Sequence, residues 1–231
     1  MRLLIVSDIH ANIDALDSIG SRADAVAFLG DAVAYGPCPA ECIDWLRARA
    51  DYAVRGNHDN AVGFDEDPRC APMFREMAEA TRQLHMAMVE EDDRQYLRQL
   101  PLSAAFTFAG ARFYAVHAAP TDPLFRYMPP DSTDADWLVE TSGVAADVLL
   151  VGHTHHAFVR VSGRTLVVNP GSVGQPKHGD PHASFAVWED GRVTLHRAAY
   201  RVERAISRLR SRSLPEDVLQ QLIAALRTGG A

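Results

Sequence analysis

The sequence has 231 residues, 47% of them hydrophobic, which is enough for one well-buried core. Its formal net charge of -7 argues against a general nucleic-acid-binding protein, because affinity for the phosphate backbone comes from a basic surface, whereas a small charged substrate remains open. The three cysteines, Cys38, Cys42 and Cys70, are an odd number in a long chain and do not predict a disulfide framework.

Short apolar runs alternate with helical patterns in the first third of the chain, which is typical of a βαβ arrangement. Strands are predicted at residues 2–7, 25–29 and 52–54. Asn12 is suited to cap a helix that starts near Ile13, and Pro39 suits the first turn of a second helix. A long helical stretch from about residue 71 to residue 100 follows. Its apolar stripe, which we interpret as core packing, consists of Met73, Phe74, Met77, Leu84 and Met88.

The second half of the chain is dominated by antiparallel patterns. Strands are predicted at residues 106–108, 113–116, 148–151, 158–161, 166–168, 185–188 and 193–195. The strongest hairpin signal is Asp190-Gly191, between the last two of these runs. After Arg201 the pattern becomes helical again, with Pro215 separating two short helices whose apolar stripe packs on the domain or, as the less favoured alternative, on a second subunit.

This order of elements predicts an α/β fold class, a four-layer α/β/β/α sandwich of two mixed β-sheets flanked by helices. We predict one domain over residues 1–231, with residues 200–231 as a C-terminal helical extension. The opening run MRLLIVSD is too short for the core of a signal peptide, and no later segment approaches the length of a membrane span. We therefore expect a cytoplasmic protein with no membrane partner, and a homo-oligomer remains open.

Polar side chains directly follow five of the apolar runs. They occur in the short motifs Asp8-Ile9-His10, Gly30-Asp31, Gly56-Asn57-His58-Asp59, His117 and Gly152-His153-Thr154-His155. Since a strand ends at the edge of the core, side chains just beyond several strands can converge on one cleft. Three of these motifs begin with glycine, which indicates tight turns close to the convergent side chains.

The residue types in these motifs indicate a metal site. Carboxylate and imidazole donors without a thiolate favour Mn²⁺, Fe or Zn²⁺ over Ca²⁺. Asp8 and His10, two positions apart in a segment that we expect to be extended, would face the same side, and His153 and His155 repeat this spacing. Each motif alone is a weak signal, but their joint occurrence at strand ends is not.

Together the five motifs resemble the pattern of the calcineurin-like metallophosphoesterase superfamily, which is D-x-H, GD, GNH followed by D or E, H, and GHxH. All five occur in that order between Asp8 and His155, about two thirds of the chain. Residues 168–174, VNPGSVG, also resemble a loop of the small bacterial and archaeal phosphodiesterase branch. The resemblance implies a sandwich of two mixed sheets and metal-dependent hydrolysis of a small phosphoester, with a phosphodiester favoured.

The resemblance also implies the ligands of two divalent metal ions, with manganese favoured and Fe, Zn, Ni or Co as alternatives. The first ion would be held by Asp8, His10 and His155. The second would be held by Asn57, His117 and His153. Asp31 would bridge the two ions, a hydroxide between them would attack phosphorus, and His58 would donate a proton to the leaving group.

One departure from the pattern narrows the class of substrate. Protein phosphatases of this superfamily read GDxxDRG, whereas Ala34 and Tyr35 replace the second Asp and the Arg of that motif. This argues against protein-phosphatase activity and leaves Asp59 as a candidate to orient His58. The candidate substrate-binding residues are Asn57, Arg126, Lys177 and His178.

Two other functions remain open from the sequence. The first is a hydrolase of nucleotide or dinucleotide polyphosphates. The second is a non-catalytic metal-binding scaffold with the same fold, which we favour less because neither a ligand position nor His58 has been lost.

Overall fold

The structure is a computed structural model, and it describes residues 1–20 and 22–230. One five-stranded sheet has the strand order β10-β9-β1-β2-β3. Its strands are β1 (Arg2–Val6), β2 (Ala25–Phe28), β3 (Tyr52–Ala53), β9 (Ala183–Glu189) and β10 (Arg192–Ala198). The strands β1, β2 and β3 are parallel to one another, whereas β9 pairs antiparallel with both of its neighbours, β1 and β10. This sheet is therefore mixed, as predicted.

The second five-stranded sheet has the strand order β4-β5-β6-β8-β7. Its strands are β4 (Ser103–Phe108), β5 (Ala111–Val116), β6 (Val148–Leu150), β7 (Phe158–Ser162) and β8 (Thr165–Asn169). The central strands β5, β6 and β8 are parallel, and the edge strands β4 and β7 pair antiparallel with their neighbours. The hairpin predicted at Asp190-Gly191 forms between β9 and β10, and β4-β5 and β7-β8 are hairpins as well.

The helices account for the outer layers. They are α1 (Ile13–Ser18), α2 (Pro39–Arg49), α3 (Asn57–Phe64), α4 (Arg75–Met88), α5 (Glu91–Gln99), α6 (Asp134–Ser142), α7 (Val202–Arg210) and α8 (Glu216–Thr228). A short 3₁₀ turn, Pro72–Phe74, precedes α4. Among the described residues, no helix combines the length and apolar character that crossing a membrane requires.

Alternation along the strands divides the core into layers, because successive side chains point to opposite faces of a sheet. Leu3 and Ile5 of β1 pack in one buried cluster with Phe113 of the other sheet, so this cluster lies between the two sheets. Leu4 and Val6 belong to a second cluster that includes residues of α1 and α2. On the far side, Leu149 of β6 and Trp137 of α6 share a third cluster. The predicted fold class is confirmed.

The predicted helical stretch over residues 71–100 is interrupted. Val89 is extended (φ -89°, ψ 145°) and Glu90 caps α5, so α4 and α5 are separate helices. Val89 is buried in the core beside the first sheet, and this apolar burial offsets the helical hydrogen bonds that are lost at the break. The interpretation of the stripe as core was also wrong for Met73, which is 67% exposed, and Leu84 and Met88 are only partly buried. The buried face of α4 includes Met77 and the polar residue His85.

Two helices were not predicted from the sequence. Helix α6 has a recognisable start signal, since the Thr133 hydroxyl accepts from the Asp136 N–H while Asp136 accepts from the Thr133 N–H. Helix α3 begins at Asn57, inside a predicted ligand motif. Helix α3 was not recognisable in the sequence, because glycine is a weak N-cap signal and the eight residues contain too few apolar side chains to show a helical period.

The C-terminal helices pack on the rest of the chain. Residues of α7 and α8 form a buried apolar cluster with Ala34 and Tyr35, which lie beyond β2. Arg204 and Arg208 of α7 also form ion pairs with Asp14 of α1, at 3.0 and 3.1 Å. This is the packing that we favoured from the apolar stripe.

Candidate metal centre

The loops after the strands converge at one edge of the two sheets. Backbone hydrogen bonds continue beyond β1 and β2, with the Asp8 N–H donating to Gly30 O and the His10 N–H donating to Asp31 O. Asp8 (φ +53°) and His10 (φ +47°) are nevertheless in the left-handed region, as are His153 and His155. The expected extended segment was therefore wrong. The side chains of Asp8 and His10 face the same site because the backbone turns at these residues, not because side chains alternate along a strand.

Glycines make the close approach of these loops sterically feasible. A Cβ on Gly56 would lie 2.1 Å from Asp31 Oδ1, and Gly30 has φ +95° with its Cβ position 2.6 Å from His117 Nδ1. A side chain at either position would overlap a candidate ligand. The tight turns predicted from the glycines are present.

The first group of metal-ligand type consists of Asp8, His10 and His155, all buried. The Nε2 atoms of the two histidines are 3.1 Å apart, and His155 Nε2 is 3.2 Å from Asp8 Oδ1. His10 Nε2 is 3.8 Å from the same oxygen. Three donor atoms from two sheets therefore surround one point.

The second group consists of Asp31, His117 and His153. His117 Nε2 is 3.3 Å from Asp31 Oδ2 and 3.1 Å from His153 Nδ1. Asn57 Oδ1 lies 3.0 Å from His117 Nε2, while Asn57 Nδ2 donates to Pro68 O. The Asn57 amide is thereby oriented with its oxygen toward this group.

The carboxylate of Asp31 lies between the two groups. Its Oδ2 is 3.3 Å from His117 Nε2 in one group and 3.8 Å from His10 Nε2 in the other. Its Oδ1 accepts from the His58 N–H at 2.9 Å. One oxygen thus faces both groups, and the other oxygen anchors the carboxylate.

The hydrogen bonds of the imidazoles test whether metal ions fit these groups. His10 Nδ1 lies 2.9 Å from Val33 O, His117 Nδ1 lies 2.8 Å from Leu29 O, and His155 Nδ1 lies 2.5 Å from Gln175 O. A carbonyl oxygen only accepts, so each Nδ1 carries a proton and each Nε2 faces inward. In His10 and His155, whose rings burial keeps neutral, Nε2 presents its lone pair. These two lone pairs, with their Nε2 atoms 3.1 Å apart, suit a cation held between them.

Charge and burial point to the same fit. Asp8 Oδ1 is buried without a hydrogen-bond partner among the described residues, although Asp8 Oδ2 accepts from Ser7 Oγ and from the His153 N–H. Burial lowers the pKa of His10 and of His155 and so favours the neutral rings that bind metals. The donor set of carboxylate and imidazole suits a divalent transition metal.

His117 has the opposite pKa shift. Burial alone would lower the pKa of His117, but the Asp31 carboxylate outweighs it and raises this pKa to about 9. Burial likewise would raise the pKa of Asp31, yet the charges of His117 and His58 hold it well below its usual range. This pair retains a proton that a divalent ion would displace on binding.

Asp59 supports the loop of Asp31. Its carboxylate accepts from the N–H groups of Asp31, Ala32 and Gly56 at 2.7 to 3.0 Å. Burial and the charge of Asp31 raise the pKa of Asp59 to about 6. Both Asp59 oxygens are occupied by these backbone donors, so the expectation that Asp59 orients His58 was wrong.

His58 lies beside the two groups. It is 4% exposed, and its ring contacts those of Tyr35 (centroid distance 4.9 Å) and His10 (5.3 Å) at steep angles. Burial lowers the pKa of His58. The ring is therefore fixed next to the candidate ligands without being one of their two groups.

A cavity of about 380 Å³ opens above both groups. Its walls include Asp31, Asn57, His58, His153 and His155, together with Tyr35, Arg69, Cys70, Phe74, Phe125, Tyr127 and Lys177. Lys177 Nζ lies 4.3 Å above the ring of Phe74, and the Arg69 guanidinium lies 4.6 Å above the ring of Phe125. Burial lowers the pKa of Lys177, the only lysine in the sequence, to about 8.

The predicted substrate-binding residues are divided by the structure. Asn57 and Lys177 line the cavity, whereas Arg126 and His178 are not among its walls. Arg126 Nε lies 2.5 Å from a carboxylate oxygen of the buried Glu140, so the guanidinium is engaged in this ion pair. Arg69 lines the cavity in its place and was missed, because no motif or periodic pattern marks it.

Comparison with known proteins gives consistent results. The sequence profile of the calcineurin-like phosphoesterase superfamily domain matches residues 1–190. An uncharacterised protein of Methanocaldococcus jannaschii, MJ0912, is 29% identical over 95% of this chain and 96% of its own length. The crystal structure of a metallophosphoesterase from Sphaerobacter thermophilus is 31% identical, with TM-score 0.80 and 99% of both chains covered. That of hypothetical protein PH1004 from Pyrococcus horikoshii OT3 is 22% identical, with TM-score 0.85 over 99% and 98% of the chains.

Proposed function

The chain belongs to the calcineurin-like phosphoesterase superfamily, and on this premise we propose that it hydrolyses a small phosphoester, with a phosphodiester favoured, using two divalent metal ions. The observation that carries the proposal is the position of Asp31 Oδ2 between two groups of buried donors at the base of a cavity. A carboxylate shared by two neighbouring ions is the arrangement found in two-metal hydrolytic sites.

We assign the ligands as the motifs imply. One ion would be held by Asp8, His10 and His155. The other would be held by Asn57, His117 and His153. Asp31 would contact both. Bound ions would activate a water molecule and neutralise charge on the phosphoryl oxygens, and the mixed oxygen and nitrogen donors favour manganese, with Fe, Zn, Ni or Co as alternatives.

The residues around the ions bind and protonate the substrate in this proposal. Asn57 and Lys177 face the cavity and would hold phosphoryl oxygens, with Arg69 as a further cation. His58 would donate a proton to the leaving oxygen. Burial lowers its pKa, and a bound phosphoester anion opposes this effect, so the substrate itself favours the protonated ring.

Turnover of a chromogenic diester tests the proposal. The purified protein, stripped of metal and reloaded with Mn²⁺, is expected to release p-nitrophenolate from bis-p-nitrophenyl phosphate. His58→Ala should retain its metal and lose about 100-fold or more in kcat, the scale of general-acid catalysis. The proposal fails if Mn²⁺, Co²⁺, Ni²⁺, Fe²⁺ and Zn²⁺ all give no turnover with mono- and diesters alike.

Metal analysis separates the enzyme from a non-catalytic scaffold of the same fold. About two ions per chain after reconstitution, together with turnover, supports the enzyme. A protein that refuses metal, or that binds two ions and hydrolyses no phosphoester, supports the scaffold.

The walls of the cavity favour nucleotide or dinucleotide polyphosphates as a second candidate class of substrate. Phe74, Phe125 and Tyr127 offer aromatic surface, and Arg69 and Lys177 offer positive charge for additional phosphates. A higher kcat/KM for a dinucleotide polyphosphate than for bis-p-nitrophenyl phosphate would support this class. Equal loss of both activities in Phe125→Ala would speak against recognition of a base by this wall.

A further inference from the structure

We propose that Tyr35 is a positioning residue that holds the ring of His58, and that the C-terminal helices α7 and α8 hold Tyr35 in place. The proposal rests on the role proposed for His58 in protonating the leaving group. It assigns a function to a segment that lies beyond residue 190, where the match to the superfamily profile ends.

The first step is that packing orients the His58 ring. Within residues 1–20 and 22–230, no side chain forms a hydrogen bond with the His58 ring. The one side chain that bonds to His58 is Asp31, which accepts from its backbone N–H. Asp59, the adjacent acid, is fully used by backbone donors. The ring of Tyr35, 5% exposed, instead lies against His58 at a centroid distance of 4.9 Å and an angle of 62°.

Tyr35 also contacts the candidate ligand His10, with ring centroids 4.8 Å apart. It stands at the position where the protein phosphatases discussed above have arginine. An uncharged ring does not replace that arginine as a phosphate ligand, but its flat surface restricts the rotation of a neighbouring imidazole. A substitution that removes charge from the cavity thus adds a support for His58.

The second step is that the loop of Tyr35 needs external support. Ala34 (φ +71°) and Tyr35 (φ +60°) both have left-handed backbone, a conformation that is strained for residues with a Cβ. His85 of α4 spans the loop, accepting from the Ala34 N–H at 3.0 Å and donating to Gly36 O at 2.9 Å. Arg212, between α7 and α8, donates to Pro37 O at 3.0 Å.

The third step is that α8 packs directly beneath this loop. Leu222 and Leu226 belong to the same buried cluster as Tyr35, and both line a small gap of about 10 Å³ beside it. The end of α8 is anchored separately, because the Gly179 N–H donates to Gly229 O at 2.7 Å. No described residue of α7 or α8 lines the cavity, so the helices support the Tyr35 loop from outside it.

A double-mutant cycle tests the link between Tyr35 and His58. Tyr35→Ala is expected to lower kcat by on the order of 10-fold while about two metal ions remain bound, and Tyr35→Phe should retain activity within about 2-fold. In the His58→Ala background, Tyr35→Ala should have no further effect, since the group that it positions is absent. Metal content and thermal unfolding of each variant identify those that fail to fold.

Leaving-group dependence distinguishes positioning from general damage. Diphenyl phosphate releases phenol, a poorer leaving group than p-nitrophenol, and so depends more on proton donation. Tyr35→Ala should therefore cost more kcat with diphenyl phosphate than with bis-p-nitrophenyl phosphate, as His58→Ala should. A smaller amount of folded protein would reduce both rates by the same factor.

The contribution of α8 has a matched control within the helix. Leu222 and Ile223 are 2% and 3% exposed, but only Leu222 lines the gap beside Tyr35. Leu222→Ala should show the leaving-group dependence of Tyr35→Ala in weaker form, whereas Ile223→Ala should lose stability without it.

Three results would overturn the inference. They are an equal loss from Tyr35→Ala with and without His58, a Tyr35→Phe variant as impaired as Tyr35→Ala, and identical kinetic behaviour of Leu222→Ala and Ile223→Ala. Failure of the proposed function is recognised separately, because the unmodified protein would then show no turnover or His58→Ala would be fully active.

Discussion

At the scale of single residues, hydrogen bonds to backbone carbonyls determine how the histidine rings of the candidate centre are oriented. His10, His117 and His155 each direct Nδ1 to a carbonyl oxygen and Nε2 toward the centre. The neutral rings of His10 and His155 therefore have a defined tautomer before any ion binds, whereas His117 first gives up the proton that it shares with Asp31. Asp31 adds the only carboxylate oxygen that lies within 4 Å of histidines from both groups among the described residues.

Asp31→Asn is expected to lower metal content as well as rate. The amide keeps the size of the carboxylate but removes its charge, so the affinity of both groups for a divalent ion should fall. Elemental analysis after reconstitution should give clearly less than two ions per chain. Asp147→Asn, which alters an exposed carboxylate paired with Arg112, is the control and should retain both. Full metal loading of Asp31→Asn would contradict the bridging role.

His85 is expected to make stability depend on pH. Burial lowers its pKa to about 4, below the value of about 6.5 in an unfolded chain, so the unfolded state binds this proton first. The stability that neutral His85 contributes is complete above pH 6.5 and is lost as the pH falls toward 4. The loss at pH 4.5 should be about 2 to 3 kcal/mol in unfolding free energy.

His85→Gln provides the comparison for this effect. Glutamine retains donor and acceptor atoms for the Ala34–Gly36 loop but does not titrate. Urea unfolding of the metal-free proteins at pH 7 and pH 4.5 should show a smaller loss of stability in the variant. An identical pH dependence would show that His85 does not titrate as its burial requires.

At the scale of elements, the turns after the strands decide which side chains meet. The strands β1, β2 and β3 are parallel, so the loops that carry Asp8, Asp31 and Asn57 lie at one edge of the first sheet. The loops after β5 and β6 bring His117 and His153 from the second sheet. Close contact between these loops requires glycine at Gly56, where β3 leads into α3.

Gly56→Ala is expected to disrupt the candidate centre by steric overlap alone. The φ of Gly56 is -91°, which alanine adopts freely, but its Cβ would lie 2.1 Å from Asp31 Oδ1. Gly143→Ala is a matched control, since φ is -93° and no atom lies within 4 Å of the added Cβ. Metal content and turnover should fall in the first variant and stay unchanged in the second. Equal behaviour of the two would contradict the close approach.

At the scale of the whole molecule, the candidate centre joins the two sheets. Asp8 and His10 follow a strand of the first sheet, and His155 follows a strand of the second. An ion held by this group would cross-link the sandwich at its open edge. Without an ion, this edge contains buried ligand atoms with few other partners; Asp8 Oδ1, for example, has no hydrogen-bond partner among the described residues.

Removal of metal is therefore expected to lower thermal stability. A ligand present at 100 times its Kd stabilises the folded state by about 2.7 kcal/mol, which corresponds to a Tm shift on the order of 5 to 10 °C for a chain of this size. Differential scanning calorimetry with Mn²⁺ and after dialysis against EDTA measures this shift. Asp31→Asn should show a much smaller shift, and an unchanged Tm in the unmodified protein would argue against ions that link the sheets.

Patterns in the sequence predicted the fold class and the superfamily, and they indicated seven candidate ligands. These features are local, because each ligand motif follows an apolar run that is recognisable from neighbouring residues. Their order along the chain then carried the resemblance. The C-terminal helices were likewise visible as an apolar stripe, since helical periodicity is a property of neighbouring residues.

The contacts that bring those residues together, and the side chains that surround them, become visible in the tertiary structure. His10 and His155 meet although 145 positions separate them, and left-handed backbone at both residues aims their rings. Three other contacts also depend on packing between distant segments. They are the hydrogen bonds of Asp59 with backbone N–H groups, the ion pair of Arg126 with Glu140, and the contact of Tyr35 with His58. Sequence spacing contains no record of such contacts, because they arise only when the two sheets and the C-terminal helices pack together.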